Sequence, residues 1–350
     1  MPIPTEPIGS LPRPEWLLAA QRLHDGVDPA LDPLYEEAIR DTIRKQEAVG
    51  CPVVTDGEQR KYHNFWTYCV HGMRNMNAAG FRIPFSAGHV RRMPRLTAGP
   101  FRYRRYADAY LTFAQRCARV PVKQAVISAS ALSLLYPQDE LPDYPRRQFI
   151  DDLLDEHETE VRRCLRRGAH TVQVDFAEAR LAVELDPRGE LLQSFIDLNN
   201  LALTRFDADD RRRIGVYTCP DGDGEATHAT AADLLPLLFE LRADNFYIAL
   251  AGAADPERVL TTIARHLKPH QRAFIGVISP GDPRVETAEI VRDRVLRAAR
   301  HIAIEQLGTT DDCGFAPFCD DTATSREVAF AKIRARVEGT ALAARVLGVA

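Results

Sequence analysis

The chain has 350 residues, 45% of them hydrophobic, with 45 basic and 49 acidic side chains and a formal net charge of −4. That length buries a large core, and the near balance of charge removes the bulk electrostatic basis for binding nucleic acid or a membrane surface. No run of eighteen apolar residues and no basic-then-apolar leader appears, and the seven cysteines are scattered and odd in number, so reduced thiols in a cytoplasmic protein are expected.

Short β-branched runs alternate with longer amphipathic stretches. This pattern predicts βα units on a parallel sheet. The expected strands are 7–10, 52–55, 122–128, 171–176, 213–219, 245–250, 273–279 and 308–313. Helical periodicity falls at 32–49, 144–167, 230–241, 256–266, 285–306 and 325–347. Asp32-Pro33, Asp255-Pro256 and Thr287 read as helix starts, a capping side chain followed by Pro or acid in the first turn. Eight strands with intervening helices and no central linker predict an α/β fold of the closed (β/α)8 TIM barrel type, one domain over 1–350. An open doubly wound sheet is the alternative, but no Gly-x-Gly-x-x-Gly turn follows the first strand.

The stretch 60–106 breaks the rhythm. It carries Tyr62, Phe65, Trp66 and Tyr68, then Arg91, Arg92 and Arg95. Residues 81–90 and 93–97 suit a hairpin, either a solvated excursion or a lid over the barrel mouth. The arginines suit an anionic group or a solvated face.

Barrel active sites gather at the C-terminal strand ends. Those ends give Gly9 and Ser10, Asp56 and Glu58, Asp175, Cys219 and Cys313. Carboxylates beside apolar strands need partners, so Glu58 and Asp175 suit a salt bridge, a substrate ammonium or acid–base work. Two distant cysteines suit either buried thiols or soft metal ligands, and thiolate favours zinc. His228, in the acidic loop after Cys219, and Cys319 are further candidate donors.

The segments Ile8-Gly9-Ser10-Leu11-Pro12, Val54-Thr55-Asp56-Gly57-Glu58, Val172-Gln173-Val174-Asp175, Val216-Tyr217-Thr218-Cys219 and Asp311-Asp312-Cys313-Gly314 occur in that order. Together they resemble the catalytic barrel of cobalamin-independent methionine synthase, from about Ile3 to Leu347. The chain looks like the short, single-barrel branch, to which the epoxyalkane:coenzyme M transferases are related. The resemblance implies transfer of a methyl or other alkyl group to a thiol activated on zinc. It implies Cys219 and Cys313 as metal ligands, and Gly9, Ser10, Glu58 and Asp175 around an amino-acid-like substrate. The family's ligand histidine is Tyr217 here and its ligand glutamate falls near Ala249. A replacement ligand is then expected from His228, Cys319 or a loop carboxylate. The tryptophan that stacks on folate in the family has no counterpart in 128–132. The partners implied are a small-molecule thiol and an alkyl donor, with no nucleic acid and no membrane. A metal-independent lyase, isomerase or decarboxylase using Tyr217, Glu58 and Asp175 is the alternative on the same barrel, and a non-catalytic binding barrel is a third.

Overall fold

The computed structural model describes residues 2–24, 28–60, 68–84, 90–218 and 231–349. Six parallel strands form the sheet in the order β3-β4-β5-β6-β7-β8, and an antiparallel pair, β1-β2, stands apart. The pair is β1 (Met76–Pro84) and β2 (Val90–Leu96). The sheet is β3 (Gln124–Ile127), β4 (Val172–Asp175), β5 (Ile214–Tyr217), β6 (Asn245–Ile248), β7 (Arg272–Ile278) and β8 (Leu307–Asp311).

Two single bridges close the ring. Thr5 pairs with Thr309 of β8, and Val54 pairs with Val122 just before β3, both parallel. The N–H of Leu11 donates to the carbonyl of Gly57 at 3.0 Å, joining these two segments to each other. The result is a closed (β/α)8 barrel. The first strand pairs earlier than the expected 7–10: the Thr309 N–H donates to the Pro4 carbonyl and the Thr309 carbonyl accepts from the Glu6 N–H, whereas the next groups on that edge, the Glu6 carbonyl and the Ile8 N–H, are taken by the Arg336 guanidinium and the Asp311 carboxylate. Residues 7–10 are the loop at its C-terminal end.

The described residues form twelve α-helices, in chain order α1 (Glu15–Leu23), α2 (Asp32–Ala48), α3 (Asp108–Cys117), α4 (Ala129–Ser133), α5 (Arg146–Arg166), α6 (Glu178–Leu185), α7 (Glu190–Leu203), α8 (Ala208–Arg211), α9 (Ala231–Leu238), α10 (Pro256–His266), α11 (Ala288–Ala298) and α12 (Arg326–Val346). Asp255 and Thr287 cap α10 and α11 as expected, each side chain accepting from the amide three residues on. Asp32 does not cap. It is the first residue of α2, and Asp28 instead caps the 3-10 turn ahead of it. The helix expected over 285–306 ends at Ala298, and a separate 3-10 turn, Ile304–Gln306, leads into β8.

The strands are buried on both faces, as a parallel sheet under helices must be. Inside the barrel, large rings are admitted by missing side chains. A Cβ on Gly215 would stand 2.6 Å from the Tyr247 ring, and one on Gly308 would stand 2.5 Å from the Phe274 ring. Tyr247 and Phe274 stack at 4.9 Å between centroids. Among the described residues no helix is long and apolar enough to cross a membrane.

Candidate active site

The barrel interior beneath the mouth carries a buried charge cluster. Lys123 immediately precedes β3, and its Nζ donates to the Pro7 carbonyl at 2.8 Å and lies 3.4 Å from the Glu6 carboxylate. The same ammonium sits 3.4 Å above the Tyr247 ring, while the Tyr247 hydroxyl donates to Glu6 at 2.6 Å. Burial pushes the Lys123 ammonium down, partly offset by Glu6. Burial pushes Glu6 up, yet Lys123, His170 and Tyr247 together hold it below the ordinary carboxylate range. This cluster fixes Pro7, and therefore the start of the Gly9–Ser10 loop.

That loop is the hub of the mouth. The Gly9 carbonyl accepts from the Thr55 hydroxyl at 2.8 Å. Thr55 is clamped in turn by the Gln46 amide, which bonds both its N–H and its carbonyl. The chain then turns through Gly57 (φ 66°) and Glu58 (φ 55°), the latter a left-handed conformation that costs a side-chain-bearing residue energy. Asp56 closes this turn by accepting the Glu58 N–H at 2.8 Å. Buried Arg13 holds it from behind, donating to the Glu58 carbonyl at 3.1 Å and to the Phe318 carbonyl at 2.8 Å. The turn delivers the Glu58 carboxylate against Gly9, where a Cβ would come within 2.7 Å of Oε1.

On its other side the hub meets the end of β8. The Phe315 N–H donates to the Ser10 carbonyl at 2.9 Å and the Ala316 N–H to the Ser10 hydroxyl at 3.3 Å. A Cβ on Gly314 would overlap that hydroxyl. Cys313, half-buried, packs against the cluster of Ile8, Tyr217, Tyr247 and Phe274. Gly9, Ser10, Glu58, Cys313 and Tyr217 are thus gathered at one mouth.

Asp175 ends β4 in register with Tyr217 of β5 and Ile127 of β3. The Gln173 amide donates to its carboxylate at 2.7 Å. Cys219 and His228 lie outside the described residues. Cys319 is half-buried and lies within electrostatic reach of the Arg13 guanidinium. Arg92 and Arg95 lie on β2, exposed, and the side chain of Arg91 is outside the described residues.

Pattern reading did not single out Arg13, Lys123, Gln173 or Asp312. The Asp312 carboxylate accepts from three consecutive amides, Leu250 at 2.8 Å, Ala251 at 2.9 Å and Gly252 at 2.7 Å. Burial pushes this acid up to about 6 against those bonds. A charged residue just ahead of an apolar strand was the available signal for Lys123. For Gln173 it was the period of two that puts it on the face of Asp175.

Among the described residues no group of three or more His, Cys, Asp or Glu side chains is arranged to hold a metal ion. At the two positions where the resemblance implied further ligands, the described residues supply a buried phenol, Tyr217, and a turn without donor side chains, Ala249 to Gly252. Catalytic zinc ordinarily takes three protein ligands. The described side chains offer Cys313 and do not complete such a set.

Residues 3–338 match the family model described as "Cobalamin-independent synthase, Catalytic domain". The chain belongs to the cobalamin-independent methionine synthase family. It is 22% identical over 345 residues to a methionine synthase of Saccharolobus islandicus, covering 97% of this chain and 94% of that one. It is 22% identical over 317 residues to a methionine synthase of Pyrococcus furiosus, covering 89% and 86%. A B12-independent methionine synthase from a Shewanella species, solved in complex with selenomethionine, superposes with a TM-score of 0.77 at 17% identity over the whole of both chains. A putative vitamin-B12-independent methionine synthase from Listeria monocytogenes gives 0.71 at 19% identity over 97% of each. Both share the barrel fold. Membership makes the chain a methyltransferase of this family acting on small molecules.

Proposed function

We propose that the chain moves a methyl or other alkyl group onto the thiol of an amino-acid-like substrate held at the C-terminal mouth. The observation that carries this reading is the Gly9–Ser10 hub, which touches the Glu58 carboxylate on one side and the Cys313 loop on the other. A ligand lying across the hub has an acid for its ammonium at one end and the Cys313 thiol, beside an aromatic cluster, at the other. The Shewanella relative was solved with selenomethionine, an amino acid with an ammonium group and a methylated chalcogen.

In this reading Glu58 and Asp175 accept hydrogen bonds from the substrate ammonium, charge-assisted and therefore strong. Gly9 leaves room for the substrate backbone and Ser10 borders it. The substrate sulfur lies toward Cys313 and Tyr217. The thiol gives up its proton, the thiolate forms a bond to the alkyl carbon, the donor's bond to that carbon breaks with its electron pair going to the donor, and the leaving donor takes up the proton. Orientation of the two reactants supplies much of the rate gain.

Zinc is the ion the reading calls for, with Cys219, Cys313 and His228 as ligands; bound there it would lower the pKa of the substrate thiol. Of these three, Cys313 is among the described residues. The hairpin β1–β2 serves as a lid. Its Leu96 N–H donates at 2.8 Å to the carbonyl of Leu135, beyond α4 on the same side of the barrel as the strand ends.

The test is transfer of a deuterated methyl group onto L-homocysteine, read by mass spectrometry, with zinc content measured alongside. Expected are near-stoichiometric zinc and labelled product, both lost in Cys219→Ser and Cys313→Ser. Full transfer activity in Cys313→Ser overturns the reading. A second reading is favoured by the pairing of Tyr217 with Asp175 at adjacent strand ends: metal-independent proton transfer by Tyr217, with Glu58 and Asp175, for a lyase, isomerase or decarboxylase. Turnover that survives strong chelation and collapses in Tyr217→Phe selects it.

A further inference from the structure

Cys313 stands between two anchors. On its C-terminal side, Gly314 to Ala316 are tied to Ser10 by the bonds already described. On its N-terminal side stands Asp312, which is 4% exposed. The pairing of β7 with β8 shifts register between Gly276 and Ile278, and the Asp312 N–H then donates to the Ile278 carbonyl at 2.9 Å. This irregularity turns the Asp312 side chain across the sheet rather than along the ladder.

The space it enters is shaped for a carboxylate. A Cβ on Gly276 would overlap Asp312 Oδ1, and one on Gly252 would stand 3.3 Å from Oδ2. Oδ1 takes the amides of Leu250 and Ala251, and Oδ2 takes that of Gly252. Successive amides converging on an anion make a strong, directional seat. Asp312 is therefore committed to the turn after β6, the turn where the resemblance implied a metal-binding glutamate.

We propose that Asp312 is the positioning residue for Cys313: it welds the turn after β6 to the end of β8 and thereby fixes how the Cys313 side chain sits against the Ile8–Tyr217–Tyr247–Phe274 cluster. The proposal deepens the reading of Cys313 as the thiol of the transfer site and rests on it. The seat takes backbone amides only, so it fixes the turn whatever side chains that turn carries.

The experiment is site-resolved alkylation. Wild-type protein and the variants Asp312→Ala and Asp312→Asn are treated with iodoacetamide, and the labelling rate of each cysteine is read by peptide mass spectrometry. Asp312→Ala removes all three bonds. Asp312→Asn places an amide donor against one backbone N–H and keeps two bonds, so it is the milder variant if the first fails to fold. The expected result is a change in the Cys313 rate of at least tenfold in Asp312→Ala and about threefold in Asp312→Asn, with Cys117 and Cys319 as unmoved internal controls. A purely structural role would move all three thiols together. Cys313 labelling within twofold of wild type in a folded variant overturns the proposal. Loss of the transfer reading shows separately, as full activity of Cys313→Ser, and leaves the alkylation result standing.

Discussion

Gly9 and Glu58 are fitted to one another across the barrel mouth: a single added carbon on Gly9 would stand 2.7 Å from Glu58 Oε1. The contact is with the far end of a flexible side chain, so Gly9→Ala is expected to swing the carboxylate aside while the barrel survives. If Glu58 holds a substrate ammonium, the apparent affinity for L-homocysteine falls about tenfold, or about 1.4 kcal/mol. The melting temperature stays close to wild type. Steady-state KM and a thermal melt check both halves; an unchanged KM removes Glu58 from the substrate.

Lys123 and Glu6 form a buried pair, and breaking such a pair from one side leaves the other charge uncompensated. Lys123→Met is expected to cost about 3 kcal/mol in urea unfolding. Adding Glu6→Gln should recover a large part of that loss, because the stranded carboxylate is gone. Strictly additive losses in the double variant would show that the two groups do not act as a pair.

Glu178 opens α6, three residues beyond Asp175. It is fully buried and accepts from the hydroxyls of Ser128 and Ser130, while its Oε2 has no hydrogen-bond partner among the described residues. Burial pushes it up to about 7 against the two serines. The folded state therefore keeps a proton that the unfolded chain loses above its ordinary value of about 4.5. Stability from this group is full below that pH and is lost as pH rises through 7, by on the order of 3 kcal/mol. Glu178→Gln does not titrate. Its melting temperature relative to wild type should climb between pH 4.5 and 7 and level off above. A flat difference across that window would mean that Glu178 is ionised in the folded protein.

Gly276 tests the seat of Asp312 from the other side. Gly276→Ala places a methyl group where Oδ1 lies, so it ejects the carboxylate or distorts two strands. The expected cost is about 1–3 kcal/mol in chemical unfolding, with transfer activity lost beyond what the stability change explains. Wild-type activity in Gly276→Ala would show that the turn after β6 tolerates release.

The barrel was legible because its strands are short apolar runs buried on both faces, and Asp255 and Thr287 mark helix starts by chemistry that needs no tertiary context. Where local chemistry competes, the sequence is less direct. The Asp311 and Arg336 side chains end the first ladder early, and the turn after β6 takes the Asp312 carboxylate while Cys313 packs against the cluster at the mouth. Glu58, Asp175 and Cys313 could be found from their places at strand ends. Their supports could not: Arg13, Lys123, Gln173 and Asp312 are recognisable only when ring closure brings strand one beside strand eight and the turn after β6 beside β8. The helices α6 and α7 escaped because the Asp186–Gly189 turn interrupts their periodicity.

The central claim is that Glu58 and Asp175 hold the ammonium of an amino-acid-like substrate. Calorimetric titration with L-methionine and with 4-methylthiobutyrate, its analogue without the amino group, tests this most directly. The account predicts that wild-type protein binds L-methionine at least tenfold more tightly than the analogue, and that Glu58→Gln and Asp175→Asn each narrow the gap. Equal affinity for the two compounds in the wild-type protein would contradict it.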